Sequence, residues 1–225
     1  GEWKADFSNN FGRNAVEFAT RNTLNASMLN ASPTSFESGG YDFTQNTTNL
    51  DFSRFFEGPL SGINVAFGFE NRFEKYKINP GEEASYVNYG NAINAGTAEN
   101  PVYIPSPTGN IPTRFAPNGS PYLGGAQGFP GISADNLTNE TRTSIAGYAD
   151  VELNITDKFL VDAAVRFENY SDFGSTINGK IATRYKFSDA FLLRAAVNTG
   201  FRAPSLHQRY FNSTSTVFID GAFVE

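Results

Sequence analysis

Four consecutive segments in the last hundred residues alternate apolar and polar side chains at almost every step. They lie at 144–155, 159–170, 177–187 and 191–201. A period of two is the pattern of a β-strand, in which successive side chains point to opposite faces of the sheet. Strands in globular proteins average about five or six residues, whereas a tilted strand that crosses a bilayer needs about 9–11. These lengths therefore favour the strands of a transmembrane β-barrel.

Charge is confined to one face of these strands and of segment 63–74. The apolar face carries side chains such as Phe67, Val165 and Ile181. The opposite face carries every charged residue, namely Glu70, Arg72, Glu74, Asp150, Glu152, Asp162, Arg166, Glu168, Lys180, Arg184, Lys186, Arg194 and Arg202. An unpaired charge in hydrocarbon costs about 2–4 kcal/mol at the bilayer midplane. Alternation alone also suits a soluble β-sandwich, whose inner face is equally apolar.

Aromatic residues at the strand ends favour the barrel over the sandwich. Phe159, Phe187 and Phe191 flank the predicted tight turns, and the opposite strand ends carry Phe167, Tyr170, Phe173 and Phe201. Two aromatic girdles, one at each interface, are expected of a membrane barrel. A sandwich more often places its rings in the middle of the strands, in its core.

The whole chain predicts about eight meandering strands, at 2–9, 14–28, 41–56, 61–78, 143–155, 159–170, 177–187 and 191–202. Residues typical of turns predict tight connections at 9–13, 57–60, 156–158 and 188–190. Long links are predicted at 29–40, at 79–142 and after 202. Short turns on one side and long loops on the other are typical of an outer-membrane barrel, although hairpins alternate in this way in other antiparallel sheets too. Strands 14–28 and 41–56 fit less well because they are made polar by Arg21, Asn25, Gln45 and Asn49. In the second of them Phe52 and Phe56 also share a face with Arg54.

Segment 79–142 differs in composition from the strands, because it holds most of the prolines together with scattered aromatic residues. A loop of this length is usually functional or disordered, and disordered segments are poor in aromatic residues. We expect an ordered extracellular loop that contacts a ligand. A solvent-exposed cap with no ligand is the alternative.

The bulk composition of the 225 residues narrows the class of protein. Hydrophobic residues make up 40% and aromatic residues 15%, and the mean hydropathy is −0.35. No apolar run approaches the roughly 18 residues of a transmembrane helix. The net charge of −6 argues against nucleic acid as a partner, and the absence of cysteine removes disulfides and thiolate metal sites. Both ends of the sequence look cut, so we expect an interior segment of a longer chain.

Two motifs resemble those of a known family. Residues 164–174, AVRFENYSDFG, resemble a hairpin of TonB-dependent receptor barrels, and residues 199–205, TGFRAPS, resemble a later segment of the same barrels. The resemblance covers about the last eighty residues well. It implies an antiparallel transmembrane barrel of about 22 strands in the outer membrane of a Gram-negative bacterium, with long extracellular loops and short periplasmic turns.

The same resemblance implies energised uptake of a scarce ligand such as a siderophore, cobalamin or a glycan. The expected partners are outer-membrane lipid, the small ligand, a plug domain inside the barrel and, through the plug, the TonB complex. No plug domain is recognisable in this sequence, so we expect residues 1–225 to belong to a single barrel domain. A soluble glycan-binding module and a passive pore or adhesin remain the alternatives.

Candidate ligand-binding residues come from the charged face and from the long loop. They are Arg166, Arg194 and Arg202 on the expected lumen side and Tyr103 and Tyr122 in the loop. We expect Arg202 to lie near the mouth of the barrel and to bind an anionic ligand or a plug carboxylate there. An ion pair with a neighbouring acid of the barrel wall is the alternative. Ser205 and His207 share a strand face without requiring a nucleophile–base pair, so we expect no enzyme. A single histidine and no cysteine predict neither a cofactor nor a metal site.

Overall fold

A computed structural model describes residues 2–58, 60–90, 92–105, 113, 115–117, 119–212, 217–219 and 222–224. The strands are β1 (Lys4–Arg21), β2 (Ser35–Phe56), β3 (Gly62–Asn79), β4 (Ala92–Asn94), β5 (Tyr103–Pro105), β6 (Thr138–Asn154), β7 (Phe159–Tyr170), β8 (Gly174–Lys186), β9 (Leu192–Asn198), β10 (Val217–Ile219) and β11 (Ala222–Val224). A helix, α1 (Leu206–Tyr210), follows β9, and 3₁₀ turns lie at Ala26–Ala31, Glu83–Ser85 and Ala134–Asn136. Within the portion of the chain that the structure describes, no helix has the length and apolarity needed to cross a membrane.

Seven of the strands form one sheet in the order β1-β2-β3-β6-β7-β8-β9, so neighbours in the sheet follow one another along the chain. Strands β6 to β9 pair antiparallel. Two small antiparallel pairs, β4 with β5 and β10 with β11, lie outside this sheet. The predicted all-β, antiparallel meander is confirmed.

The N-terminal region of the sheet corrects the predicted count of about eight strands to seven. The predicted strand 2–9 and the first part of the predicted strand 14–28 form the single strand β1 of 18 residues, so the turn predicted at 9–13 is wrong. The end of the second prediction is also wrong, because β1 ends at Arg21 and a 3₁₀ turn begins at Ala26. The polar residues of β1 bond across the sheet instead of turning. Asn9 Nδ2 donates to Asn46 Oδ1 over 3.1 Å and to Thr48 Oγ1 over 2.7 Å. Asn22, with φ of 56°, follows the end of β1.

Other strand bounds shift by a few residues. The strand β2 starts at Ser35 rather than at 41, and β6 starts at Thr138 rather than at 143. The last predicted strand is shorter, because β9 ends at Asn198 and residues 199–205 are irregular. The tight turns predicted at 156–158 and 188–190 are confirmed. A short connection at 57–60 is confirmed by the ends of β2 at Phe56 and β3 at Gly62, and residue 59 within it lies outside the described residues.

The register between β6 and β9 keeps the apolar and charged faces separate. Across the sheet Val151 lies opposite Ala163, Ala163 opposite Ile181, and Ile181 opposite Val197. Ile181 is 65% exposed and Val197 is 77% exposed. The shared face predicted from alternation is therefore confirmed in these strands. An apolar surface so exposed needs an apolar surrounding, because contiguous apolar patches are rare on soluble monomers.

Aromatic side chains form one cluster at each end of these strands. At the tight turns the ring centroids of Tyr185 and Phe187 lie 4.7 Å apart, and those of Phe187 and Phe191 lie 5.4 Å apart. At the other end Phe201 lies 6.1 Å from Tyr170 and 6.4 Å from Phe173. The structure thus contains the two aromatic groups on which the girdle interpretation depends.

The chain divides into two compact units. The first, called the strand unit, comprises Gly1–Arg13, Thr44–Lys75 and Glu140–Arg209. The second, called the loop unit, comprises Asn14–Phe43, Tyr76–Asn139 and Tyr210–Glu225. Buried apolar side chains of the loop unit are Phe36, Tyr76, Ile78 and Ala126, and those of the strand unit are Ala146, Leu160 and Leu206. Most large apolar residues of the strand unit are exposed instead, which is the reverse of a soluble domain.

Replacing Ile181 by lysine tests whether the apolar face of the sheet lies in lipid or in water. We expect Ile181→Lys to lower the free energy of unfolding in lipid by about 2–4 kcal/mol, because β8 then places a charge in hydrocarbon. Chemical denaturation of the protein folded in bilayers measures this change. The control is Ala182→Lys, which puts the same charge on the other face, opposite Asp162. Equal effects of the two variants would contradict a lipid-facing surface.

Candidate functional site

The charged face of the strand unit holds a chain of ion pairs centred on Arg166. Its Nε donates to Glu168 Oε1 over 2.7 Å, and its terminal nitrogen lies 3.3 Å from Glu70 Oε2. Arg72 reaches the other oxygen of Glu70 at 2.9 Å, and the Tyr170 hydroxyl donates to Glu168 over 3.1 Å. Both carboxylates are thus shared between two donors. The Arg166 side chain is 34% exposed, so it is held in place by two carboxylates and still open to a third partner.

On the same face, other single side chains also join neighbouring strands. Lys180 Nζ lies 3.3 Å from Asp150 and 2.7 Å from Asp162, so one ammonium links β6, β7 and β8. The Tyr148 hydroxyl donates to Asp51 Oδ1 over 2.7 Å. Gly68 makes this last contact possible, because a Cβ there would collide with the Asp51 carboxylate and the Tyr148 ring. These contacts fix the positions of the acidic groups.

Asp172 joins β6, the β7–β8 turn and α1. Both its oxygens accept from Arg142 Nε at 2.9 Å, and Oδ2 also accepts from Arg209 at 2.8 Å. Arg142 is 2% exposed and donates to the Pro204 carbonyl over 2.9 Å. Its guanidinium carbon lies 5.4 Å from the centre of the Phe173 ring. The two motifs that resemble the family, 164–174 and 199–205, are therefore joined physically by one buried arginine.

Arg184 and Arg194 stand directly opposite each other in β8 and β9. They line a groove of about 500 Å³ together with Glu152, Asp162 and Leu160. Among the described residues, no carboxylate lies within ion-pair distance of either guanidinium. Like charges directly opposite on a sheet are destabilising. An anion bound between these two guanidiniums would relieve their mutual repulsion.

In the loop unit, Asn25 is completely buried and holds two loop segments, 25–27 and 84–89, together. Its Nδ2 donates to the carbonyls of Ala84 and Val87, both over 2.9 Å. Its Oδ1 accepts from the backbone N–H and the hydroxyl of Ser27, which in turn accepts from the Tyr89 N–H. Buried amides are stable only when their hydrogen bonds are made. Asn25 therefore determines how these loops approach one another.

Ser85 also joins separate segments of the loop unit through hydrogen bonds. Its carbonyl accepts from the N–H groups of Ala126 and Gly131, both at 2.9 Å. Gly131 packs against the Ser85 side chain, where a Cβ would not fit. In the same loop, burial raises the pKa of the Tyr89 phenol, and the Glu83 carboxylate adds to the shift. Within the long loop, the segment around Ser85 and the segment 125–131 are thus tied together by hydrogen bonds.

The five residues predicted to bind ligand are divided between the units. Arg166, Arg194 and Arg202 lie in the strand unit, and Tyr103 and Tyr122 lie in the loop unit. Arg202 is exposed in the irregular segment after β9, Tyr103 is half-buried in β5, and Tyr122 is exposed. A ligand role for these five stays a prediction.

The sequence-based reasoning did not identify Asn25, Arg142 or Asp172 as important. Asp172 lies within the quoted hairpin motif, so that motif carried a signal for it. No local pattern marked Asn25 or Arg142, since their partners are up to 62 residues away along the chain.

Replacing Asp172 tests how much the two motifs depend on each other. We expect Asp172→Asn to cost about 3 kcal/mol in free energy of unfolding, because Arg142 and Arg209 then lose their shared carboxylate. Denaturation measures the loss, and faster proteolysis near 203–210 should accompany it. The matched control is Asp189→Asn, which removes an exposed ion pair with Lys186 at 2.7 Å and should cost less than about 1 kcal/mol. Equal costs would show that the Asp172 cluster contributes no more than a surface pair.

Replacing Asn25 tests the order of the loop unit. Asn25→Ala leaves the carbonyls of Ala84 and Val87 without their donor, which costs about 2 kcal/mol. Amide hydrogen exchange at residues 85–90 should then accelerate about thirtyfold, at 1.4 kcal/mol for each factor of ten. Asn100→Ala, at an exposed loop position, is the control and should leave exchange unchanged. Unchanged exchange in Asn25→Ala would contradict its role.

Comparison with known proteins places the chain in one family. Residues 1–223 match the family described as TonB dependent receptor-like, beta-barrel. The vitamin B12 transporters BtuB of three Vibrio cholerae serotype O1 strains (O395, M66-2 and N16961) are each 32% identical over 76 residues. That stretch is 34% of this chain and only 12% of each transporter, so it covers about an eighth of these relatives. No solved structure matches the chain.

The family match covers both the strand unit and the loop unit, and it agrees with the long antiparallel strands and their one-sided charge. The family is one of receptors and transporters. The chain therefore belongs to the TonB-dependent receptor-like β-barrel family, and its sheet is a section of a transmembrane β-barrel.

Proposed function

We propose that this chain is the barrel portion of a TonB-dependent receptor in the outer membrane of a Gram-negative bacterium. In this role the protein takes up a scarce ligand against its gradient. The observation that carries the proposal is the family match over residues 1–223, together with the confinement of charge to one face of β6 to β9. The residues act by binding and positioning rather than by catalysis.

The charged face is the lumen side in this proposal. A plug domain belonging to the same receptor occupies the lumen and transmits the action of the TonB complex. The chemistry of the face supports a protein partner of this kind. Arg166 is held by two carboxylates while a third of its side chain stays exposed, and the Arg184–Arg194 pair lacks a carboxylate of its own among the described residues. Carboxylates of the plug would satisfy that pair.

The loop unit is extracellular in this proposal, and residues 79–142 belong to the loop that meets the ligand first. Its segments at 84–89 and 125–131 are tied together through Asn25 and Ser85 rather than left as a free chain. Tyr103 and Tyr122 offer rings with hydroxyl groups, which suit siderophores, cobalamin and glycans alike. Arg202 would contribute a positive charge at the mouth.

Three ligand classes are worth comparing directly, and the partial similarity to vitamin B12 transporters supports including cobalamin. We expect cells that carry the full-length protein to accumulate one of three labelled ligands, a ferric siderophore, cobalamin or an oligosaccharide. Uptake should fall at least about tenfold when TonB is removed or the proton gradient is dissipated, because transport against a concentration gradient needs an energy source outside the barrel. Cellular accumulation at nanomolar ligand measures this.

Two controls separate the alternatives. A passive pore would keep its uptake without TonB and would show no saturation, which would overturn energised transport. A soluble glycan-binding module would be folded and monomeric without detergent. Circular dichroism and sedimentation of the detergent-free protein test that outcome. A folded monomer would overturn the proposal that the protein works in the membrane.

A further inference from the structure

Arg54 is a cation on the apolar face of β2. Asp51, three positions earlier, accepts a hydrogen bond from the Tyr148 hydroxyl. Tyr148 belongs to the charged face, so Asp51 lies on that face too. Side chains alternate along a strand, so Phe52 and Arg54 point to the opposite side. The stacking of Phe52 on Phe67 of β3, with centroids 5.1 Å apart, places this side on the apolar face. Arg54 is thus an exception to the separation of charge found in the later strands.

Two aromatic rings lie close to the Arg54 guanidinium. Its carbon lies 4.5 Å from the centre of the Phe56 ring and 5.8 Å from the Trp3 ring. Trp3 also meets Phe56 and Phe67 edge-on, at 6.2 and 5.7 Å. These five residues, Trp3, Phe52, Arg54, Phe56 and Phe67, are called the Arg54 cluster. All of them lie in the strand unit.

The Arg54 side chain has rings as neighbours but lacks a counter-charge. Within the described portion of the chain, no carboxylate lies within ion-pair distance of it, and its buried Nε has no hydrogen-bond partner. A lipid-facing arginine is strongly destabilising at the bilayer midplane and close to neutral near the interface. Arg54 lies two residues before the end of β2, close to the short connection between β2 and β3. Its depth therefore matches the layer in which headgroups lie.

We propose that the Arg54 cluster binds the phosphate group of a phospholipid in the membrane leaflet at the tight-turn end. A guanidinium offers two parallel N–H donors, which match the geometry of a phosphate, and its charge is complementary. Tryptophan and phenylalanine at an interface pack against the glycerol and the upper acyl chain. Trp3 is 48% exposed, so its ring is available for this contact. This binding does not depend on which ligand is transported.

Native mass spectrometry of the full-length protein in detergent micelles tests the proposal. The probes are phosphatidylglycerol and a diacylglycerol with the same acyl chains, which differ only in the headgroup. We expect the wild type to retain phosphatidylglycerol in preference to diacylglycerol. Arg54→Gln should bind phosphatidylglycerol about tenfold more weakly, as expected for loss of a charge-assisted hydrogen bond.

The matched control is Lys158→Gln, which removes the same charge from an exposed turn at the same end of the sheet but touches no ring of the Arg54 cluster. It should leave binding unchanged. Should Arg54→Gln fail to fold, Arg54→Met replaces it, since an apolar side chain suits a lipid-facing position.

Three results would overturn the proposal. The first is an equal loss in Lys158→Gln and the Arg54 variants, which would mean general charge attraction. The second is equal binding of diacylglycerol and phosphatidylglycerol, which would mean that only the acyl chains are recognised. The third is displacement of the lipid by millimolar glycerophosphate, which would mean a site for free anions.

Discussion

The cost of placing a charge in hydrocarbon is the constraint on which the rest of this structure depends. It requires one face of each membrane-crossing strand to be apolar, and because side chains alternate, it leaves the other face to polar groups. The registers from β6 to β9 keep these faces aligned across four strands. A slip of one residue would exchange the two faces, so the pattern itself fixes the register.

A second property follows from the same constraint. Charges concentrated on one face must find partners there, and the sheet provides them through pairs that cross strands. Lys180 links three strands, and Arg166 links β3 with β7. This pairing stops at Arg184 and Arg194, where we propose that an anion from outside this chain binds. Arg54 differs from this pair because its cation lies on the apolar face. The anion that we propose for it comes from the lipid.

The loop unit is stabilised in a different way from the strand unit. Its few buried apolar residues are supplemented by buried polar side chains with satisfied hydrogen bonds, of which Asn25 makes the most. Hydrogen bonds to backbone carbonyls are directional, so they hold irregular loops in one arrangement. That arrangement would give a binding surface defined by geometry rather than by packing alone.

The sequence by itself determined the all-β class, the faces of β6 to β9, three short connections and the family. Each rests on information local to a strand or motif, namely the period of two, turn residues and the two motifs that resemble the family. Only the tertiary structure decided that β1 is one strand, because Asn9 finds partners on β2. It also decided that Asp172 joins the two motifs and that Asn25 organises the loops, since those contacts join residues 30 to 62 positions apart. Long-range hydrogen bonds leave no periodic trace in a sequence, whereas alternation between lipid and lumen is present in every strand that obeys it.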